Sequence, residues 1–339
     1  MLKTAIVILN WNTRKHLETF LPFLVKYSSI PGVQIVIADN ASTDDSVAFL
    51  KTNYPEVNLL LFDKNYGFAE GYNRALKEVE AEYYVLLNSD IEVTENWLQP
   101  LIGLLESNPE IGVVMPKLLS YYQRNLFEYA GAAGGYIDKY GYPFCKGRMF
   151  ETLEEDKGQY DGIHEIFWAT GACLAIKAEI FKQAGGFDAY FFAHQEEIDL
   201  CWRLHHIGYK IYCTTESVIY HLGGGTLPKS NPYKTYLNIR NNHVLLYKNL
   251  PRKQWIKVFL IRIPLDMLAA LKFLLGSQPG EFWAVFKAHF SFYKYLLKSK
   301  KQLKIANSSL QLIYKGSIIY QYYFLKKNKF TDISGKFIK

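Results

Sequence analysis

The sequence predicts an open α/β sheet of mostly parallel strands flanked by helices, followed by a basic, helical C-terminal extension. Three observations support this fold class. Short and almost uninterrupted apolar runs recur along the first third of the chain, as expected of parallel strands that are buried on both faces. Segments with helical periodicity alternate with these runs, and the connections are short. The excess positive charge is concentrated after residue 250.

The apolar runs and the helical patterns follow one another in order along the chain. We predict strands at 5–9, 34–38, 58–62, 83–87 and 112–115. We predict helices at about 15–28, 44–53, 69–80 and 95–107, with Asp44 and Thr94 as N-caps, and a later helix at 196–207. Residues 120–165 are rich in Gly and Tyr and predict a looser excursion over the site. Ligands of such sheets bind beyond the carboxyl ends of the strands.

The composition excludes several classes of protein. Of the 339 residues, 49% are hydrophobic and 21% are charged, so the chain can form a large core and is not disordered. The formal net charge of +7 hides a division. Residues 251–339 hold 17 Lys and Arg against three acidic residues, a net of +14, and the rest of the chain has a net of −7. This division argues against a uniform basic nucleic-acid binder.

The cysteines and the first apolar run point to a reducing compartment. Cys145, Cys173, Cys201 and Cys213 form no C-x-x-C pair, which argues against a disulfide framework or a zinc site. The run at 5–9 is too short for a signal-peptide core or a membrane span. We therefore expect a cytoplasmic protein.

Polar side chains follow each of the first four predicted strands. The segments are Asn10-Trp11-Asn12, then 39–44 beginning with Asp39-Asn40, then 65–73 with Asn65, Gly67 and Asn73, and finally Asn88-Ser89-Asp90. A single such residue is most simply explained as an end of a strand or a cap of a helix. Four consecutive strand ends with Asn or Asp favour a shared polar crevice.

A second polar cluster lies further along the chain. It contains Gly171, Gly185-Gly186-Phe187-Asp188, and the acidic residues Glu196, Glu197 and Asp199 at the start of a helix. Acidic residues in a first turn also complement the helix dipole, so a purely structural role is equally open. Three carboxylates within four residues can, however, raise a pKa and create a general base.

Taken together and in this order, these motifs resemble the family-two glycosyltransferases with the GT-A fold. The resemblance covers about residues 3–225 and includes Glu196-Glu197-x-Asp199-Leu200-x-x-Arg203 and His221 before a glycine run. The subgroup resembles rhamnosyltransferase-like enzymes of bacterial surface polysaccharide synthesis. The resemblance implies a catalytic domain at 1–230, with a nucleotide-binding half at about 1–118 and an acceptor half at about 119–230. Residues 231–339 would form a helical, basic C-terminal region.

The resemblance also implies roles for individual residues. Asp39 would accept a hydrogen bond from the imide N–H of uracil or thymine, so the donor would be a UDP- or dTDP-sugar. Asn12 would lie near the base or ribose, and Asn65, Gly67, Asn73 and Asn88 would belong to the nucleotide site. Asp90 would bind Mg²⁺ or Mn²⁺ against the diphosphate, with His221 as a second metal ligand.

Two departures from the family pattern affect these roles. Asn88-Ser89-Asp90 keeps only one carboxylate of the metal-binding motif, and an imidazole from His221 would favour Mn²⁺. His221 could instead be a strand-end histidine bonded to backbone. Glu196-Glu197 replaces the usual Glu-Asp, so the catalytic base falls on Glu197 with Glu196 as the alternative. Gly171, Asp188 and Asp199 would lie on the acceptor side.

The resemblance implies an inverting, metal-dependent transfer of a hexosyl or deoxyhexosyl group to a hydroxyl of a saccharide or lipid-linked saccharide. Two alternatives stay open. A sugar-nucleotidyltransferase also needs a base pocket and metal carboxylates, although residues 10–15 lack the Gly-rich loop that a triphosphate requires. The other alternative is a non-catalytic carbohydrate-binding protein. No nucleic-acid motif is present.

The C-terminal region predicts amphipathic helices. Arg262, Asp266 and Lys272 interrupt the apolar run 258–275 and fall on about a third of the helical wheel, which argues against a clean membrane span. We expect a peripheral contact with the cytoplasmic face of the inner membrane. A helical subdomain that packs on the catalytic part or mediates oligomerisation is the alternative.

Overall fold

The computed structural model describes residues 2–223, 231–299, 312–333 and 337. Its strands divide between a large sheet and a small one. In chain order they are β1 (Leu2–Asn10), β2 (Val33–Asp39), β3 (Asn58–Leu61), β4 (Ala81–Leu87), β5 (Ile91–Val93), β6 (Ile111–Ser120), β7 (Gly135–Asp138), β8 (Pro143–Cys145), β9 (Arg148–Met149), β10 (Thr152–Leu153), β11 (Ile163–Ile166), β12 (Cys173–Lys177), β13 (Lys210–His221) and β14 (Ile313–Tyr314).

The large sheet has nine strands among the described residues, in the order β11-β13-β6-β12-β4-β1-β2-β3, with β5 paired to β13. Strands β4, β1, β2 and β3 are parallel, and β12 lies antiparallel between β4 and β6. The five strands expected from the apolar runs are β1, β2, β3, β4 and β6. Their buried residues, such as Val36, Val85 and Val114, form the core of the sheet. The predicted open α/β sheet is therefore confirmed.

Helices flank this sheet and form the C-terminal region. They are α1 (Arg14–Ser28), α2 (Ser46–Asn53), α3 (Gly67–Lys77), α4 (Gln99–Ser107), α5 (Ala178–Gln183), α6 (Glu196–His206), α7 (Pro232–Asn249), α8 (Arg252–Leu275) and α9 (Pro279–Lys298). The Asp44 carboxylate accepts a hydrogen bond from the Ser46 N–H at the start of α2. The N-cap of α2 is nevertheless Asp45 and not the predicted Asp44, and Thr94 is not an N-cap either. Its hydroxyl donates to the Val218 carbonyl of β13 because residues 91–93 extend the sheet.

The excursion predicted at 120–165 is more regular than expected. Strands β7 to β10 lie within it and form the small sheet in the order β10-β9-β8-β7-β14. Strand β14 comes from the C-terminal region and pairs with β7 in parallel. The domain boundary at residue 230 stays a prediction, and segments from beyond it pack on segments from before it.

A buried polar cluster joins the three long C-terminal helices. The Asp266 carboxylate of α8 lies 2.7 Å from Nε2 of His243 on α7 and 3.2 Å from Nε2 of His289 on α9. The Arg262 guanidinium lies 3.4 Å from the other oxygen of this carboxylate and donates to the Tyr140 carbonyl at 3.0 Å. Burial raises the pKa of Asp266, but Arg262 and the hydrogen bonds from both histidines hold it below its usual range. Burial lowers the pKa of His243 to about 4.

This cluster reverses the orientation expected for α8. The polar residues Arg262 and Asp266 face the protein interior, with 3% and 4% of their surface exposed. Leucines cover the outer face instead, namely Leu260, Leu268, Leu271, Leu274 and Leu275. The helical wheel grouped Arg262 with Asp266 correctly, but Lys272 is exposed and does not share their face. Partners on α7 and α9 decide which side of the helix faces solvent.

We predict that Asp266→Ala destabilises the fold by about 3–5 kcal/mol, because the variant leaves the buried Arg262 charge without its partner. Urea unfolding followed by circular dichroism measures this change. Lys3→Gln is the control, since the Lys3–Glu106 pair is solvent-exposed and should leave the midpoint unchanged. Equal midpoints for Asp266→Ala and the parent chain would contradict the role of the cluster.

Candidate active site

The carboxyl ends of β1 and β2 meet in register and carry a fixed polar network. Asn10 lies opposite Asp39, and its Nδ2 donates to Asp39 Oδ1 at 2.7 Å and to the Ser42 hydroxyl at 3.0 Å. Asp39 Oδ2 accepts from the Ser42 N–H at 2.9 Å. Asp39 is buried, and these bonds hold its carboxylate in one orientation at the edge of the sheet.

Asn12 organises the loop that follows β2. Its backbone is left-handed, with φ 54°, and its Oδ1 accepts from the Thr43 N–H at 2.7 Å. The Ser42 hydroxyl accepts from the Asn12 N–H at 2.9 Å. Since Asn12 is exposed, it borders the crevice and also fixes the shape of the 39–44 loop.

Asn65 and Gly67 shape the start of α3. Asn65 Oδ1 accepts from the Gly67 N–H at 2.8 Å and from Asn40 Nδ2 at 3.0 Å. Gly67 has φ +76°, and a Cβ at this position would lie 2.5 Å from the Phe192 ring. Only glycine fits this turn without displacing the segment before α6.

Asn73 connects α3 with the turn before α6. Its Nδ2 donates to the Phe187 carbonyl at 2.8 Å, and its Oδ1 accepts from the Phe187 N–H at 2.9 Å. Both polar groups of the side chain are therefore engaged by one backbone position. Asn73 thus joins α3 to the segment that leads into Glu196 and Glu197.

Asp90 and His221 converge, as the sequence suggested. His221 Nε2 lies 3.2 Å from Asp90 Oδ1, and Nδ1 of the same ring lies 3.1 Å from Glu128 Oε2. All three side chains are buried. Burial lowers the pKa of His221, but the two carboxylates raise it well above its usual value. Glu128 was not predicted, because it lies in a segment without strand or helix periodicity.

The two glutamates at the start of α6 differ in exposure. Glu196 is 3% exposed, whereas Glu197 is half-buried. Burial raises the pKa of Glu197 to about 7, although backbone N–H groups, including that of Gly171, oppose this rise. Burial and the neighbouring charge of Glu197 raise the pKa of Glu196 well above its ordinary value. The Glu197 carboxylate can therefore take up a proton near neutral pH.

Gly171 joins these glutamates to the end of β4. A Cβ at Gly171 would lie 3.9 Å from the Cβ of Glu197. The next residue, Ala172, accepts a hydrogen bond from the Asn88 N–H at 2.9 Å. The segment 88–90 and the glutamate pair thus lie on either side of residues 171–172.

The segment between a 3₁₀ turn at Ala189–Phe191 and α6 is strained. Phe192, His194 and Gln195 have φ values of 65°, 70° and 70°. Residues other than glycine rarely adopt this region of backbone conformation. The Phe192 carbonyl accepts from the N–H groups of Phe68 and Ala69 in the first turn of α3. One side of the segment is therefore fixed by α3.

Helix α7 fixes the other side. Asn241 Nδ2 lies 3.0, 2.8 and 2.7 Å from the carbonyl oxygens of Phe191, Ala193 and His194. Arg240 donates to the Phe191 carbonyl at 2.9 Å. We refer to residues 192–195 as the base loop, because Glu196 and Glu197 follow it directly.

Asp188 and Asp199 share a cation from α7. Lys248 Nζ lies 2.7 Å from Asp188 Oδ2 and 2.8 Å from Asp199 Oδ2. Asp199 also accepts from Arg203 at 2.8 Å and from Asn249 at 2.9 Å, and it is completely buried. Burial raises its pKa, but Arg203 and Lys248 hold it below the usual range. A contribution of Asp199 to the acceptor side is therefore indirect, through the position of α6.

Within the described residues, His243, Asp266 and His289 form a second group of metal-ligating side chains, with ligand atoms that lie within 4.8 Å of one another. Arg262 already balances the charge of Asp266. A divalent cation would leave uncompensated positive charge in a buried site. We therefore interpret this group as the structural cluster described above.

The geometry can be compared with known proteins. A family model described as "Glycosyl transferase family 2" matches residues 5–183, more than half of the chain. The chain belongs to glycosyl transferase family 2. This result confirms the predicted family, and the roles of the individual residues stay predictions.

Two curated relatives agree with the predicted subgroup. O-antigen biosynthesis protein RfbC of Myxococcus xanthus is 26% identical over 223 residues, which are 65% of this chain but only 17% of that protein. N-acetylglucosaminyl-diphospho-decaprenol L-rhamnosyltransferase of Mycobacterium tuberculosis is 25% identical over 237 residues, which are 65% of this chain and 76% of that protein.

Solved structures share the fold. GalNAc-T7 with UDP, GalNAc and Mn²⁺ aligns with a TM-score of 0.56 and 16% identity over 73% of this chain and 48% of that chain. The mannosyltransferase PcManGT from Pyrobaculum calidifontis with GDP-Man and Mn²⁺ aligns with a TM-score of 0.51 and 14% identity, over 88% and 76% of the two chains. The GT-A fold of this glycosyltransferase is confirmed.

We predict that Asn241→Ala lowers kcat by about 10- to 10²-fold, because displacing a catalytic group by about 1 Å costs rates of this order. Steady-state kinetics and a thermal melt measure the effect on turnover and on folding. Asn238→Ala is a matched control, since the Asn238 side chain donates to the Lys234 carbonyl of its own helix. Equal kcat values for the two variants would contradict the role of Asn241.

Proposed function

We propose that this glycosyltransferase transfers a hexosyl or deoxyhexosyl group, with inversion, from a UDP- or dTDP-sugar to a hydroxyl of a saccharide or lipid-linked saccharide. The observation that carries the proposal is the approach of two sites across residues 171–172. The Asp90–His221 pair follows β4, and the glutamate pair starts α6. The names of the relatives, which include succinoglycan biosynthesis protein ExoA of Rhizobium meliloti, support a role in bacterial surface polysaccharide synthesis.

The donor would bind along the carboxyl ends of β1, β2 and β4. Asp39 accepts one bond on each carboxylate oxygen, and each oxygen keeps a lone pair for another donor. This supports the imide N–H of a pyrimidine base as its ligand. Asn12 would border the ribose, Asn65 and Gly67 would shape the adjoining turn, and Asn88 would lie toward the diphosphate.

The residues around Asp90 fit a divalent metal ion. A carboxylate oxygen and an imidazole nitrogen 3.2 Å apart match two ligands that each lie about 2.1 Å from one ion. Glu128 beside the other imidazole nitrogen would orient the ring, as carboxylates commonly do for metal-bound histidines. When bound, Mg²⁺ or Mn²⁺ would neutralise charge that develops on the nucleoside diphosphate. The neighbours that contain Mn²⁺ support this assignment.

Glu197 would act as the general base. It would remove the proton from the acceptor hydroxyl while the oxygen attacks the anomeric carbon on the face opposite the diphosphate. The electron pair of the departing bond passes to the diphosphate oxygen. Glu197 is favoured over Glu196 because it is the more exposed of the two. Gly171 leaves room beside it for the acceptor.

A donor screen tests the reaction. UDP-, dTDP- and GDP-sugars are incubated with the full chain and Mn²⁺, and released nucleotide is quantified. Release of UDP or dTDP is expected. Release of pyrophosphate would indicate a nucleotidyltransferase, and donor binding without any release would indicate a non-catalytic binding protein.

We predict that Glu197→Gln lowers kcat by about 10²–10⁴-fold, the usual contribution of a general base, with little change in the KM for the donor. Turnover with saturating Mn²⁺ measures both constants. Glu196→Gln is the matched neighbour. A large loss in Glu196→Gln together with full activity in Glu197→Gln would assign the base to Glu196.

We also predict that kcat/KM falls as the pH drops below about 7. The pKa of Glu197 is raised to about 7 by burial, and a general base works only when it is deprotonated, so protonation below this pH removes activity. A profile from pH 5.5 to 8.5 at saturating Mn²⁺ measures this limb. A flat profile down to pH 5.5 would mean that the base has an ordinary carboxylate pKa.

The C-terminal region would contact the cytoplasmic face of the inner membrane. None of the helices in the described ranges has the length and apolar character needed to cross a bilayer. The outer faces of α8 and α9 nevertheless expose large apolar side chains, among them Leu268 and Leu275 on α8 and Trp283 and Leu297 on α9. Contiguous exposed apolar surface of this kind marks membrane or protein contacts.

We predict that the full chain cosediments with anionic phospholipid vesicles at low salt, and that Leu268→Ser with Leu271→Ser weakens this binding. Both leucines are exposed, so the change should not disturb the core. Retained vesicle binding in the double variant would point away from α8. A dimer in solution that the double variant dissociates would favour the oligomer alternative.

A further inference from the structure

An aromatic groove lies between the start of α7 and the first turns of α9. Its volume is about 580 Å³, and it is lined by Pro232, Tyr233, Tyr236, Gly280, Trp283, Ala284, Phe286, Lys287 and Phe290. Gly280 allows the two helices to approach closely, because a Cβ there would lie 2.8 Å from Pro232 Cγ. The shape of the groove therefore depends on the close contact between α7 and α9 at Gly280.

The walls of the groove are apolar and exposed. Trp283 is 66% exposed, Phe290 is 60% exposed and Tyr233 is 45% exposed. These rings contribute little to the core, so burial against a ligand would gain free energy in proportion to the apolar area removed from water. The lining has no acidic or amide side chain among the described residues. A saccharide site would require several such polar partners.

Positive charge lies at one wall of the groove. Lys287 Nζ lies 5.2 Å from the centre of the Tyr236 ring, and the Arg240 guanidinium approaches the same ring at 5.2 Å. The Tyr236 hydroxyl accepts from Arg240 at 3.4 Å and donates to the Ser291 hydroxyl at 3.1 Å. An apolar groove with a cationic wall is complementary to a molecule that combines an apolar chain and an anionic head.

The groove adjoins the base loop. The Tyr233 ring packs edge-to-face on the Phe192 ring with centroids 6.4 Å apart. Phe192 contacts the start of α3 at Gly67, and Arg240 donates to the Phe191 carbonyl. A chain in the groove would therefore begin beside the segment that leads into Glu196 and Glu197.

We propose that this groove binds the isoprenoid chain of a lipid-diphosphate acceptor, with Lys287 on the diphosphate side. The proposal rests on the proposed function and specifies its acceptor, because a lipid-linked saccharide has this combination of chain, charge and sugar. The exposed leucines of α8 and the exposed rings of α9 would meet the membrane in which such a lipid resides.

The test uses the full chain and three soluble probes in calorimetric titrations: farnesyl diphosphate, farnesol and inorganic pyrophosphate. Farnesyl diphosphate is expected to bind more tightly than either fragment. Phe290→Ser should weaken farnesyl diphosphate binding at least about tenfold, the order expected for the loss of a large buried apolar contact. Lys287→Gln should weaken binding of farnesyl diphosphate and leave that of farnesol unchanged.

Leu297→Ser is the matched control, because Leu297 is 89% exposed on the same helix and does not line the groove. It should reduce vesicle binding without changing the affinity for farnesyl diphosphate. Equal losses of that affinity in Leu297→Ser and Phe290→Ser would overturn the proposal in favour of a general membrane face. A dimer that Phe290→Ser dissociates would overturn it in favour of a second copy.

The donor screen separates this proposal from the proposed function. If no donor releases a nucleotide but farnesyl diphosphate binds with the expected variant pattern, the proposed reaction fails and the groove stands as a lipid-diphosphate site. If nucleotide is released but no variant alters farnesyl diphosphate binding, the reaction stands and the groove assignment fails.

Discussion

Three carboxylates within four residues at the start of α6 are the constraint on which the rest of the site depends. Buried charges must be paired or neutralised. Asp199 is paired with Lys248 and Arg203, whereas among the described residues no cation forms an ion pair with Glu196 or Glu197. Burial therefore raises the pKa values of both glutamates, and no paired cation in the described part of the chain opposes this rise. The cations of this region thus pair with Asp199, and the two glutamates keep raised pKa values.

One of the two cations that pair with Asp199 comes from the C-terminal region, beyond residue 230. Lys248 lies on α7, as does Asn241, which holds the strained backbone of the base loop. Arg240 on the same helix binds the Phe191 carbonyl just before that loop. Strained φ values persist only where the surroundings fix them. Helix α7 is therefore as much a part of the site as the strand ends, and the GT-A sheet alone does not account for the geometry of the base.

Local periodicity explains how much of the fold could be predicted. Five strands and the helices between them were identifiable from apolar runs and spacing, because each pattern is set by nearby residues. The strand-end polar residues followed from topology, since parallel strands end at one edge. Glu128 and Asn241 could not be found in this way. Each acts through a partner distant in sequence, and an amide that binds backbone carbonyls has no sequence signature. The buried position of Arg262 and Asp266 on α8 could not be predicted for the same reason.

The basic residues of the C-terminal region differ in whether they are buried or exposed. Arg262 is buried against Asp266, so it is not available to an external anion. Lys287, Lys294 and Lys298 on α9 are exposed and lie among exposed aromatic and aliphatic side chains. Positive charge next to apolar surface attracts an anionic lipid surface more specifically than either property alone. Exposed positive charge of the C-terminal region therefore lies on α9, and among these three lysines Lys287 lines the groove.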